Sequence, residues 1–118
     1  LTVADLSFIS LRVVLAALTA CTAEDGDLVP LVKPQFEVGR QRLGSGGVVR
    51  DPQLRAEAVL GVVAAAREVR WLCAGVCTSP LPGPSGNVEF FLWLRRAPRV
   101  ALSEDEIRAI VQTTEVGA

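Results

Sequence analysis

The chain has 118 residues, half of them apolar and 21% charged, with a formal net charge of −1. This is enough for one ordinary domain or a large piece of one, and too apolar for a disordered segment. The near-neutral balance excludes a globally basic nucleic-acid binder, so any RNA contact must be local or come from another part of the protein. The sequence has no His, which removes Ser-His-Asp and Cys-His catalysis and leaves no metal site to expect.

The first element in chain order is a short apolar strand, Thr2–Ala4, ending at Asp5, with Leu6–Ile9 still apolar beyond it. Ser10 is placed to cap a helix whose Leu11, Val14, Leu15 and Leu18 fall at helical spacing. The acidic turn Glu24-Asp25-Gly26-Asp27 closes that unit, and Leu28–Val32 follows as an uninterrupted apolar strand stopped by Lys33-Pro34. Continuous apolarity predicts a strand covered on both faces. From Phe36 to Arg50 the chain is a Gly- and Arg-rich loop. Asp51-Pro52 then reads as the N-cap and first residue of a helix to about Glu68, with Leu54, Ala58, Val62, Ala65 and Ala66 along one side.

Val69–Val76 and Val88–Leu94 read as strands, separated by an irregular Pro- and Gly-rich connection from Ser79 to Asn87. Ser103 and Glu106 form a capping box for a last helix reaching about Thr113. The predicted order is β-α-β-α-β-β-α. This implies an α/β fold whose sheet is mostly parallel with one antiparallel strand, the last.

Cys21, Cys73 and Cys77 are an odd number, with no signal peptide, and are expected to be buried free thiols in a reducing cytoplasm. No apolar run approaches the roughly 20 residues that span a bilayer, so no membrane association is expected and a cytoplasmic location is. There is no Met, and the chain opens at Leu1 directly into a strand, so a piece of a longer protein is expected.

Three charged residues stand where strands rarely carry charge. Asp5 and Lys33 follow the first two strands, Lys33 is the sequence's single lysine, and Glu89 lies within the most apolar strand. Ligands of open α/β sheets bind at the carboxyl ends of parallel strands. An antiparallel last strand begins at that same rim, so Asp5, Lys33 and Glu89 are expected to converge there. A lysine between carboxylates can act as a base toward a hydroxyl or orient it. The same trio could equally be a buried ion-pair set without catalytic duty.

The loop from Val38 to Gly47 matches neither phosphate-loop fingerprint. It reads instead as a mobile loop whose Arg40, Arg42 and Arg50 meet RNA phosphates, or as a merely solvated one.

Four blocks carry a family resemblance: Val3-Ala4-Asp5-Leu6-Ser7-Phe8-Ile9-Ser10-Leu11, Leu31-Val32-Lys33-Pro34-Gln35-Phe36-Glu37, Gly46-Gly47-Val48-Val49-Arg50-Asp51, and Ser79-Pro80-Leu81 with Gly86-Asn87-Val88-Glu89. In order and spacing they resemble the TlyA-type ribosomal RNA 2′-O-methyltransferases, within the wider FtsJ-like group. Asp5-Leu6-Ser7-Phe8 lacks the paired prolines of methyltransferases that act on exocyclic amines.

The resemblance implies the carboxy-terminal half of a Rossmann-like methyltransferase domain, residues 1–95, followed by a tail, 96–118, with a short helix. It implies a Lys-Asp-Lys-Glu tetrad in which Asp5, Lys33 and Glu89 match the last three members and the first lysine has no counterpart. It implies S-adenosylmethionine as cofactor, bordered by Asp5, Leu6, Ser7 and Phe8, and ribosomal RNA or ribosomal subunits as partner. A piece of this kind is expected to be inactive alone and to self-associate or pair with its missing half through a bare strand edge. A non-catalytic RNA-binding or scaffolding module is the alternative, and the family's haemolysin label is a weaker one, since no membrane-inserting segment is visible.

Overall fold

A computed structural model describes residues 1–113. Strand β1 (Thr2–Ala4), helix α1 (Leu11–Ala20), β2 (Leu28–Val32), α2 (Pro52–Glu68), β3 (Leu72–Thr78), β4 (Phe90–Arg95) and α3 (Glu104–Gln112) follow in the order that the periodicity predicts. The strands form one mixed sheet in the order β1-β2-β4-β3. β1 and β2 pair in parallel, while β4 inserts between β2 and β3 and runs antiparallel to both. Three strands thus share one direction, yet only one of the three pairings is parallel.

The helices begin where the sequence supplies caps. The Ser10 hydroxyl accepts the Arg12 N–H, the Asp51 carboxylate accepts that of Gln53, and Ser103 with Glu106 closes the capping box of α3. Helix α2 ends in a Schellman turn. Trp71 N–H reaches Ala66 O at 2.9 Å, Arg70 N–H reaches Arg67 O at 2.9 Å, and Arg70 sits at φ 68°. That turn consumes Val69 and Arg70, which were expected to open the third strand.

All three helices pack on the same face of the sheet. Leu11 and Leu15 of α1, Val59, Val62 and Ala66 of α2, and Ile107 and Val111 of α3 share one core with Leu28, Val32, Cys73, Phe90, Leu92 and Leu94. The alternation along β4 is clean: Phe90, Leu92 and Leu94 are buried, while Trp93 is 45% exposed. On the opposite face, Val29, Gly75, Cys77, Phe91 and Trp93 line an open apolar cleft of about 280 Å³. The expectation that both faces of β2 are covered holds in part: Leu28, Pro30, Leu31 and Val32 are buried and Val29 is half-buried, although no second helical layer lies on the open face among the described residues.

The cysteine reading also needs correction. Cys73 is buried, but Cys21 at the end of α1 and Cys77 on the open sheet face are exposed, and all three are free thiols. Burial pushes the Cys73 thiol above its ordinary range, against a smaller opposing contribution from the Gly75 backbone. No helix among the described residues is long and apolar enough to cross a membrane.

Candidate functional site

The sheet register assembles one rim. Asp5 follows β1, Lys33 follows β2, and the pairing of Val32 with Phe90 places Glu89, one residue earlier, beside Lys33. Antiparallel insertion of β4 is what brings an acid from the far end of the sequence to the carboxyl ends of β1 and β2.

The Lys33 side chain is 10% exposed, and its ammonium emerges at the rim. It pairs there with Asp5 Oδ1 at 2.5 Å and donates to Ser7 Oγ at 3.0 Å. Asp5 itself is largely exposed. The apolar stem is thus held in the sheet while the charge reaches solvent. An ammonium has three N–H groups, and these contacts use two of them.

Glu89 joins the rim but not that ion pair. Its side chain is buried, and Oε2 accepts a 2.9 Å hydrogen bond from Gln35 Nε2. Gln35 lies two residues beyond Lys33, in the 3-10 turn Pro34–Phe36. The expected convergence is therefore organised as two linked pairs, Lys33 with Asp5 and Gln35 with Glu89. The Gln35 carbonyl oxygen, Oε1, is buried with no partner among the described residues. Such an orphan acceptor costs about 1–3 kcal/mol.

Sequence reasoning quoted Gln35 and Glu37 but assigned neither a role. The buried Glu37 carboxylate accepts from Ser10 Oγ at 2.6 Å and from the Leu11 N–H at 2.8 Å, and it lies 3.5 Å from Arg12 Nε. It fastens the turn after Lys33 to the positive end of α1. The only advance signal was a carboxylate in an apolar block.

Asn87 was also missed. Almost fully buried, it takes the Val49 N–H on Oδ1 at 2.9 Å and donates to Gly47 O at 3.0 Å and Pro84 O at 3.3 Å. One side chain thereby ties the loop before α2 to the loop before β4. Within this loop, residues 40–42 and 45–47 form 3-10 turns, and Asn87 anchors its far end.

The three arginines of that loop have different surroundings. Arg42 pairs with Glu57 at 2.6 Å, and Arg50 donates to Ser45 O at 3.1 Å. The Arg40 guanidinium is exposed and has no ion-pair partner among the described residues. It borders a cleft of about 290 Å³ with Gln35, Phe36 and Phe8. Phe8 is 90% exposed and sits at φ 65°, a conformation that bulky residues seldom adopt, with its ring 5.1 Å from that of Phe36.

The fold, the rim and the motif order define a class. A family model of FtsJ-like methyltransferases matches residues 1–96, and the chain belongs to that family. Among curated proteins it is 64% identical over 103 residues to the 16S/23S rRNA (cytidine-2'-O)-methyltransferase TlyA of Mycobacterium tuberculosis, covering 87% of this chain and 38% of that protein. It is 38% identical over 112 residues to YqxC of Bacillus subtilis, covering 92% of this chain and 40% of the relative. A solved Lactococcus lactis structure described as a "putative hemolysin" superimposes with a TM-score of 0.83 at 33% identity, over 94% of this chain and 53% of that one. The chain therefore spans well under half the length of these curated relatives.

Proposed function

We propose that this chain is the carboxy-terminal half of a Rossmann-like methyltransferase domain that methylates ribose 2′-hydroxyls of ribosomal RNA in the cytoplasm. The observation that carries the reading is the single lysine. Its stem is buried, its ammonium is fixed at the sheet rim by Asp5 and Ser7, and one N–H is left over. An ammonium held at the rim with a free N–H suits the orienting of a hydroxyl. The names of the relatives, among them a cytidine-2'-O-methyltransferase, favour the same chemistry.

The residues present fit S-adenosylmethionine as cofactor. Asp5, Leu6, Ser7 and Phe8 are all exposed at the end of β1, a short stretch offering a carboxylate, a hydroxyl and two apolar side chains to one amphipathic ligand. Bound there, the cofactor supplies an electrophilic methyl group. Lys33 would donate its remaining N–H to the target oxygen and turn a lone pair toward the reacting carbon, so the rate gain would come from orientation. As the oxygen–carbon bond forms and the carbon–sulfur bond breaks, the hydroxyl proton would pass to the exposed Asp5 carboxylate or to water. Asp5 holds the lysine in place, and Glu89 completes the rim. Arg40 contacts RNA phosphate, with Arg42 and Arg50 holding the loop in shape through Glu57 and Ser45 and adding to the local positive field.

In the longer protein, Lys33→Ala is expected to abolish methyl transfer to ribosomal RNA, read as radiolabel incorporation, while cofactor binding by calorimetry persists. Undiminished transfer overturns the assignment. The chain alone is expected to transfer no methyl group, and to self-associate or pair with the missing half through β1 and the open sheet face.

A further inference from the structure

We propose that Gln35 is a positioning residue of the methyl-transfer site, acting through Glu89. The proposal rests on the functional reading above. Its first support is the orientation of the Gln35 amide. The N–H end points at the Glu89 carboxylate, and the buried carbonyl end goes unpartnered. Reversing the amide would set its oxygen against carboxylate oxygen, so Glu89 dictates the arrangement. An apolar side chain of similar length would remove the orphaned oxygen but leave the buried Glu89 carboxylate without this hydrogen bond. The Gln35 amide is thus committed to that carboxylate at the cost of its own carbonyl oxygen.

The second support comes from the other side of that carboxylate. Gly83 packs against it so closely that a β-carbon at this position would collide with the Glu89 carboxyl atoms. The Gly83 loop is closed by a 2.8 Å bond from its own N–H to Asn87 O, and the Ser79 N–H reaches Glu89 O at 2.8 Å. The connection before β4 is therefore shaped around the Glu89 side chain, and Gln35 sets its direction. Lys33 and Gln35 leave β2 in the same turn, so one short segment places both the ammonium and the orientation of the second acid.

Two measurements test this, and they fail independently. On the 118-residue chain, Gln35→Leu is expected to lower the urea midpoint clearly in the native background and much less in a Glu89→Leu background, where no carboxylate is left without its donor. An equal fall in both backgrounds, or failure of Gln35→Leu to fold in both, makes Gln35 an ordinary structural residue and ends the proposal. In the longer protein, Gln35→Leu is expected to lower kcat about tenfold with KM for cofactor and RNA nearly unchanged, as loss of transition-state orientation does. Added to Glu89→Gln, it is expected to cost nothing further in single-turnover rate. An equal loss in both backgrounds shows that Gln35 does not act through Glu89. If Lys33→Ala retains activity, the methyltransferase reading fails separately, and the stability arm still reports on the Gln35 amide.

Discussion

Asn87 shows how much a single side chain can hold in this molecule. Its amide satisfies a buried backbone N–H and two carbonyls from loops 40 residues apart in sequence. Asn87→Ala should cost about 2–3 kcal/mol in urea unfolding, since the Val49 N–H is left buried without a partner. Arg40 belongs to the opposite category, exposed and unpaired at a cleft. Arg40→Ala in the longer protein should leave the urea midpoint in place and reduce the salt dependence of RNA binding by about one counterion.

At this scale the sequence was informative about which charged residues meet at the sheet rim and less so about whom they touch. Asp5, Lys33 and Glu89 stood out because charge interrupts apolar runs. The split into Lys33 with Asp5 and Glu89 with Gln35 was not legible. Side-chain partners depend on turn geometry, and Gln35 carries no charge to draw attention.

Secondary-structure elements were more legible than their boundaries. Apolar spacing located all three helices and all four strands, and Ser10, Asp51 and Ser103 marked the helix starts. The miss at the start of β3 has a specific cause. Val69 and Trp71 look like strand residues, but the Schellman turn of α2 claims the segment, and Arg70 fills the left-handed position that glycine normally takes. Arg70→Gly should therefore stabilise the chain by about 0.5–1 kcal/mol in thermal or urea unfolding, the relief of backbone strain outweighing the entropy gained by the unfolded chain. Leu102, just before α3, reaches Cys73 O with its N–H at 2.8 Å, so the segment leading into that helix also guards part of the β3 edge.

At the level of the whole molecule, the layers are unequal. Three helices cover one sheet face, the other holds the cleft around Trp93, and β1 pairs on one side only. The sequence hid this asymmetry because an apolar residue on the open face reads like one buried in the core. Thiol labelling offers a direct check. Cys21 and Cys77 should react quickly with an aromatic disulfide reagent, and Cys73 only on unfolding, because burial both shields its sulfur and disfavours the thiolate.

The strand order also has a bearing on synthesis. Among the described residues, β3 has β4 as its one strand neighbour, and β4 is the latest of these four strands in chain order. While this segment is emerging, β2 and β3 each wait with an open flank until β4 is made. Interrupting synthesis just before Phe90 is therefore expected to leave a sticky intermediate. Such a nascent segment is expected to need chaperone cover until β4 slots between its two neighbours.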